Sequence, residues 1–141
     1  MTGLQKTLAL LKKHEGFSDT VYLDGKGIPT IGYGFTDPGL IKKGKITRKE
    51  ADAILTKRIA SEYKALHDTL PNFDKLSDDS KSALISYRFN YPAGFKDTTK
   101  FMNYWRAGQY DKAIKEVNAG MNDAANPGLH TRRLEEQALL S

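Results

Sequence analysis

The sequence contains no cysteine, which excludes a disulfide framework, a thiolate nucleophile and a zinc site built on cysteine. Its three histidines, His14, His67 and His130, lie far apart along the chain and lack the spacing of metal ligands. We therefore expect neither a metal nor a cofactor, although carboxylate oxygens alone could still hold a weakly bound cation.

Long hydrophobic runs are also missing. The longest apolar run near the N-terminus covers residues 8–11, whereas a membrane-spanning helix needs about 20 apolar residues. Lys12 and Lys13 follow this run directly, where a signal peptide would continue its apolar segment toward a cleavage site. The sequence thus predicts no secretion signal and no stable membrane insertion.

The charge balance points to an anionic partner. The chain has 141 residues, 28% of them charged, and a formal net charge of +5. Nucleic acid, acidic lipid and bacterial cell wall would all be attracted by this charge. The densest basic stretch, residues 41–45 (IKKGK), lacks the interleaved aromatic residues that stack on single-stranded bases. We therefore do not expect nucleic-acid binding, and a basic nucleic-acid-binding protein remains a minor alternative.

The periodicity predicts an α+β fold that begins with a helix and a small ribbon. Residues 4–14 place Leu4, Leu8 and Leu11 on one helical face, and Gly16 is a suitable C-cap. β-favouring residues 21–23 and 28–31 flank the turn Asp24-Gly25-Lys26-Gly27, so we expect a hairpin or a three-stranded ribbon.

Helices are predicted for the rest of the chain. Their starts and ends are marked by capping residues, glycines and prolines. One expected helix begins at the capping box Thr47-Arg48-Lys49-Glu50, and another begins at Ser77-Asp78-Asp79. Two more cover about 98–107 and 111–119, the second ending before Gly120. The last starts after Asn126-Pro127-Gly128.

These elements predict one domain, residues 1–141, built from two lobes. The ribbon lobe covers about 14–46, the helical lobe about 1–13 and 70–141, and a connecting helix about 47–69. A small ribbon beside a larger helical body would leave a cleft between the lobes, where extended substrates commonly bind.

Two carboxylates near this ribbon could perform acid–base chemistry. Hydrolysis of a glycosidic bond needs one protonated carboxylic acid and one ionised carboxylate in different surroundings. Glu15, at a helix end, suits the acid; Asp24, in a wetter turn, suits the base; and Thr30 could help to orient a water. Spacing alone leaves open the alternative that these residues have only structural roles, because Asp-Gly is also an ordinary turn pair and Thr is an ordinary strand residue.

A resemblance selects the catalytic interpretation. Glu15-Gly16, Tyr22-Leu23-Asp24 and the stretch GIPTIGYG at residues 27–34 match the active-site pattern of the phage-type lysozymes (endolysins), the family of T-even phage lysozyme. Weaker similarity continues through Phe89-Asn90, Asp97-Thr98 and the C-terminal stretch GLHTRRLEE at residues 128–136. The chain thus resembles this family over nearly its whole length, which implies a lysozyme-like α+β fold.

The resemblance implies roles for individual residues. Glu15 would be the general acid, and Asp24 would assist an attacking water positioned with Thr30. Gly34, Thr36, Phe89, Asn90 and Thr98 match cleft-lining, substrate-binding positions of the family. Arg132 or Arg133 could be the basic partner of Glu15, or both could lie on the surface of a helix.

The resemblance also implies a muramidase, a lysozyme that hydrolyses the β-1,4 bond between N-acetylmuramic acid and N-acetylglucosamine in peptidoglycan, with inversion at the anomeric carbon. We expect a monomer that stays in the cytoplasm of the producing cell until a holin pore or a virion delivers it to the wall. A non-catalytic wall-binding domain and a virion-associated or toxin-borne lysozyme are the alternatives.

One position departs from the family pattern. Many members carry a histidine directly after the Gly-x-Gly, where this chain has Phe35. An ion pair made by that histidine would be absent here, so the support of the ribbon needs another source. We expect Phe35, Tyr33 and Trp105 to pack in the core or at a hinge; the alternative is that one of them stacks on a sugar.

Overall fold

In this computed structural model, residues 2–119 and 127–141 are described. Their regular structure consists of helices and one two-stranded antiparallel sheet, which confirms the predicted α+β class. The elements in chain order are α1 (Gly3–Glu15), β1 (Ser18–Leu23), β2 (Pro29–Gly32), α2 (Pro38–Lys43), α3 (Arg48–Thr69), α4 (Asp78–Asn90), α5 (Lys100–Arg106), α6 (Tyr110–Glu116) and α7 (Pro127–Leu140). Short 3-10 helices occur at Phe73–Lys75 and Pro92–Phe95.

The chain divides into two compact units. The ribbon unit is Leu8–Ala60, and the helical unit comprises Met1–Thr7 and Ser61–Ser141. The divisions fall inside α1 and α3, so the ribbon unit includes the first half of the helix that the sequence predicts as a connection. Within residues 2–119 and 127–141, no helix has the length and apolar character needed to cross a membrane.

The ribbon is a two-stranded hairpin. Tyr22 lies opposite Thr30 and Leu23 opposite Pro29, and the N–H of Asp24 donates to the carbonyl of Ile28 at 3.0 Å. In place of the three-stranded alternative, isolated bridges join Thr20 to Lys45 and Ile31 to Phe35. A ribbon of this size is too small to be stable alone, so it depends on packing against the helices of its unit.

The long helix α3 begins as predicted. The backbone N–H of Glu50 donates to Thr47 Oγ1 at 3.1 Å, and the N–H of Thr47 donates to Glu50 Oε1 at 3.2 Å. This reciprocal pair confirms the capping box. Four apolar residues along one side of α3 are fully buried, which anchors the helix in the core: Ala51, Leu55, Ile59 and Leu66.

The prediction that Leu4 lies on the buried face of α1 is wrong. Leu4 is 40% exposed, whereas Thr7 and Leu11 are fully buried. Thr7 bonds the carbonyl of Gly3 and, at 2.8 Å, the hydroxyl of Ser82. A buried hydroxyl needs such a partner, and this pairing turns Thr7 rather than Leu4 toward the interior.

Helix α2 was not predicted because none of its residues is buried, so it shows no apolar periodicity. Its signals are local: Pro38 near the start and Gly44 in the left-handed conformation at the end.

The later helices begin close to their predicted positions. The hydroxyl of Ser77 caps α4, and that of Thr99 caps α5, which starts at Lys100 rather than near residue 98. α6 ends at Glu116. The predicted end at Gly120 and the predicted start at Asn126 lie outside the described residues.

A buried charged cluster joins α4 and α7 in the helical unit. Glu136 is fully buried and accepts hydrogen bonds from Arg133 and from the hydroxyl of Ser86. Arg132 donates to the carbonyl of Ser86 at 3.0 Å, and Arg133 also donates to Asn90 Oδ1. Arg132 is 5% and Arg133 is 2% exposed, so the alternative that they lie on a helix surface is wrong.

We expect Glu136→Ala to lower the free energy of unfolding by about 3–5 kcal/mol, because the substitution leaves two buried guanidinium groups without their carboxylate. The control is Asp97→Ala, which removes an exposed carboxylate bonded to Arg106 at 2.8 Å and should cost less than about 1 kcal/mol. Urea unfolding followed by circular dichroism measures both values. Equal losses in the two variants would contradict a structural role for the buried cluster.

Candidate active site

Glu15 is the last residue of α1 and is half-buried. Gly16 follows in the left-handed conformation with φ of 66°, and its N–H donates to the carbonyl of Lys12 at 3.0 Å. A Cβ at Gly16 would meet no atom within 4 Å, so this position needs glycine for its backbone conformation alone. The predicted C-cap is confirmed, and it ends the helix at the candidate acid.

The carboxylate of Glu15 lies against the backbone of Gly34. A Cβ built on Gly34 would lie 2.5 Å from Glu15 Oε2, and Gly34 has a φ of 77°. The conformation favours glycine, and a Cβ at this position would have to displace the end of the Glu15 side chain. Ile31 and Phe35 exchange backbone hydrogen bonds of 2.8 and 2.9 Å, which close residues 31–35 into a tight turn. We call this segment the Gly34 turn.

Asp24 is fixed by the backbone of its own turn. Its Oδ1 accepts the N–H groups of Lys26 at 2.8 Å and of Ile28 at 2.9 Å. These bonds, first from Ile28 and then from Lys26, lower the pKa of the Asp24 carboxyl below its usual value of 3.8. Asp24 is therefore ionised at neutral and mildly acidic pH, as a base requires.

Thr30 lies on the same ribbon as Asp24. Hydrogen bonding continues from the Leu23–Pro29 pair to Asp24 and Ile28. Because side chains alternate along a strand, this register puts Asp24 and Thr30 on the same face. Thr30 is 4% exposed, and its hydroxyl donates to the carbonyl of Ile28 at 2.8 Å. The hydroxyl oxygen keeps its capacity to accept a hydrogen bond from a water.

The predicted substrate-binding residues fall in both units. Thr36 is exposed and, with Gly34, belongs to the ribbon unit. Phe89 is half-buried, whereas Asn90 and Thr98 are exposed, and these three belong to the helical unit. The three candidate catalytic residues belong to the same unit as Gly34 and Thr36.

Sequence reasoning missed the residues of α3 that hold the Gly34 turn. Tyr33 is 2% exposed, and its hydroxyl donates a hydrogen bond to Asp52 Oδ1 at 2.7 Å. Lys12 Nζ lies 3.1 Å from Asp52 Oδ2. The Tyr33 bond is the main cause that lowers the pKa of the Asp52 carboxyl. Arg48 stacks 4.5 Å from the ring of Phe17, which packs against Tyr33.

The other end of the turn contacts α3 through Phe35, which is fully buried as expected. The Arg58 guanidinium lies 4.5 Å from the centre of the Phe35 ring and donates to Asp37 Oδ1 at 2.6 Å. The sequence carries a partial signal for the contacts that α3 makes with this turn: Arg48 and Asp52 lie four residues apart on a helix whose neighbouring face is apolar.

Among the described residues, no three His, Asp or Glu side chains gather as metal ligands.

We expect Gly34→Ala to lower the predicted glycosidase activity about 100-fold, because the new Cβ must displace the Glu15 carboxylate. The control is Gly44→Ala, at a φ of 76° with its nearest atom 3.9 Å away. Both variants should lose about 1–2 kcal/mol of stability from the left-handed backbone. Clearing rates of a peptidoglycan suspension separate the two effects. Similar activity in both variants would show that the contact does not matter for catalysis.

The chain is similar to known phage proteins in sequence and in fold. The chain is 29% identical to an endolysin of Acyrthosiphon pisum secondary endosymbiont phage 1, over 96% of this chain and 94% of that protein. Its fold is similar to that of the endolysin from Escherichia coli O157:H7 phage FAHEc1, with a TM-score of 0.74, 24% identity and coverage of 99% and 93%.

The active form of the P1 phage endolysin Lyz is similar in fold as well, with a TM-score of 0.74, 22% identity and coverage of 96% of this chain and 83% of that one. These structural matches support the lysozyme-like α+β fold. The family model described as phage lysozyme matches residues 12–136, which include Glu15, Asp24 and Thr30. The chain therefore belongs to the phage lysozyme family and is a glycoside hydrolase.

Proposed function

We propose that the protein is a muramidase that hydrolyses the β-1,4 bond between N-acetylmuramic acid and N-acetylglucosamine in bacterial peptidoglycan. One observation carries this proposal: Glu15 is held against the Gly34 turn in the same unit as an ionised carboxylate, that of Asp24. The match to the phage lysozyme family and the 29% identity to a phage endolysin support the substrate class.

Glu15 acts as the general acid. Its half-buried position at the end of α1 and its contact with the Gly34 backbone support this role, because a general acid must be held in one orientation toward the leaving oxygen. Glu15 gives its proton to the glycosidic oxygen as the bond from that oxygen to the anomeric carbon breaks.

Asp24 takes a proton from the attacking water, and Thr30 orients this water. The water adds its oxygen to the anomeric carbon from the opposite face of the sugar, and its proton passes to the Asp24 carboxylate. The oxygen of Thr30 can accept the other hydrogen of this water, which orients the lone pair toward the carbon. Solvent then returns a proton to Glu15 and takes one from Asp24, so the enzyme is restored.

This route inverts the anomeric configuration. Inverting glycosidases leave room for a water between their carboxyl groups, which are roughly 6.5–9.5 Å apart. We therefore propose that the carboxyl groups of Glu15 and Asp24 lie at such a separation. A direct attack by Asp24 would instead require a separation of about 5 Å and would retain the configuration.

The remaining predicted residues would contact the glycan strand. Gly34, Thr36, Phe89, Asn90 and Thr98 offer backbone, hydroxyl, amide and aromatic groups, which are the groups that bind sugars in concave sites. The formal net charge of +5 favours an anionic wall polymer by long-range attraction.

Delivery to the wall forms part of the proposal. We infer that the enzyme acts as a monomer and accumulates in the cytoplasm of the producing cell. A holin pore or release from a virion would then bring it to the peptidoglycan, where its activity lyses the host. The endolysin that this chain resembles supports a role in lysis.

The decisive variants are Glu15→Gln and Asp24→Asn. Loss of a general acid or base should slow clearing of a peptidoglycan suspension by about 100-fold to 10,000-fold. Asp24→Asn should still fold, because an amide oxygen can accept the N–H groups of Lys26 and Ile28 as the carboxylate does. Asp19→Asn, which changes an exposed carboxylate on β1, is the control and should clear normally.

Unchanged clearing by Glu15→Gln would refute the mechanism. Binding to peptidoglycan without any clearing by the unmodified protein would instead support the non-catalytic wall-binding alternative.

A further inference from the structure

Arg58 is a charged residue of α3 that lies outside the proposed chemistry. Its guanidinium stacks 4.5 Å from the ring centre of Phe35 and bonds Asp37 Oδ1 at 2.6 Å. The Arg58 side chain is 33% exposed and that of Asp37 is 47% exposed. An ion pair this exposed contributes little to the free energy of unfolding. Stability alone therefore does not explain the pair.

The contacts lead in three steps from Arg58 to the proposed acid. Arg58 covers Phe35, which is fully buried. Phe35 closes the Gly34 turn through its two backbone hydrogen bonds with Ile31. Gly34, the residue directly before Phe35, lies against the Glu15 carboxylate. All of these residues belong to the ribbon unit.

Arginine suits this position better than other cations. Its flat guanidinium can lie on an aromatic ring with one face and still direct an N–H group at a carboxylate in its own plane. The hydrogen bond to Asp37 at 2.6 Å holds one N–H group while the guanidinium carbon lies 4.5 Å from the centre of the Phe35 ring.

A second contact attaches the Gly34 turn to α3, so we expect Arg58 to affect the position of the turn rather than its folding. Tyr33, in the middle of the same turn, remains bonded to Asp52 at 2.7 Å and packed on Phe17. Without Arg58 the turn would stay attached to α3 through Tyr33. Its Phe35 end would lose one contact but keep its burial and its edge contact with Tyr33, with 6.2 Å between ring centres, so we expect a small displacement of Gly34 rather than loss of the turn.

We propose that Arg58 is a positioning residue for glycoside hydrolysis, which holds Phe35 and thereby the Gly34 turn against the carboxylate of Glu15. The inference rests on the proposed function of Glu15 as the acid. Arg58 does not touch the substrate or the reacting atoms. It acts on the rate of the chemical step through the orientation of Glu15.

The test is a double-mutant cycle with Arg58→Met and Phe35→Leu, measured as kcat and KM on a soluble peptidoglycan oligosaccharide. Arg58→Met should lower kcat about 10- to 100-fold, because small displacements of a catalytic group are costly. KM should change by a smaller factor than kcat, because the displacement acts mainly on the orientation of Glu15, while Gly34 and Thr36 are only two of the predicted substrate-binding residues. The double variant should be no slower than the slower single variant, because both substitutions break the same contact.

Two further variants complete the design. Lys43→Met breaks an ion pair of the same unit, Lys43 Nζ to Glu50 Oε2 at 2.8 Å, and should leave kcat unchanged. Asp37→Asn alters only the exposed partner of Arg58, so it should fold, and it should lower kcat about two- to fivefold. Thermal unfolding confirms that each variant is folded at the assay temperature.

The outcomes separate this inference from the proposed function. If Glu15→Gln is inactive while Arg58→Met and Asp37→Asn keep full kcat, the positioning role is wrong and the mechanism stands. Multiplying losses in the double variant, or a rise in KM with kcat unchanged, would also overturn the positioning role. If Glu15→Gln remains active, the mechanism itself fails.

Discussion

The contact between the Glu15 carboxylate and the Gly34 backbone is the constraint on which the ribbon unit depends. A Cβ at residue 34 would lie 2.5 Å from Glu15 Oε2 and would displace this carboxylate, and the φ of 77° also disfavours any residue other than glycine. Gly32 is under a similar constraint, since its Cβ would lie 2.7 Å from the Phe35 ring. The glycines of this segment therefore allow a strand end and a helix end to approach so closely that an acidic side chain is held between them.

Helix α3 supports this contact from two sides. Asp52 bonds Tyr33, and Arg58 covers Phe35. At residue 35 the contact is the packing of an aromatic ring beside a guanidinium, which attracts the cation to the ring face. A charged residue on α3 can in this way matter for a carboxylate that it does not touch.

Local signals in the sequence predicted the parts of the structure that local physics determines. Gly16 as a C-cap, Thr47 and Glu50 as a capping box, and the turn at Asp24 each depend on neighbours within four residues, and each was found where expected. Arg58 was missed because its partners, Phe35 and Asp37, lie more than twenty residues away in sequence. Nothing local reveals such a pairing. The predicted cleft, and the roles of Arg132 and Arg133 toward Glu15, stay predictions.

The central claim is that Glu15 protonates the leaving oxygen while Asp24 and Thr30 direct a water to the opposite face of the sugar. The most direct measurement is proton NMR of the first anomer released from a peptidoglycan oligosaccharide, recorded before mutarotation. The account predicts that the new N-acetylmuramic acid end appears first as the α-anomer, because a single displacement inverts the β bond. First appearance of the β-anomer would contradict it, since retention requires a covalent intermediate in place of the positioned water.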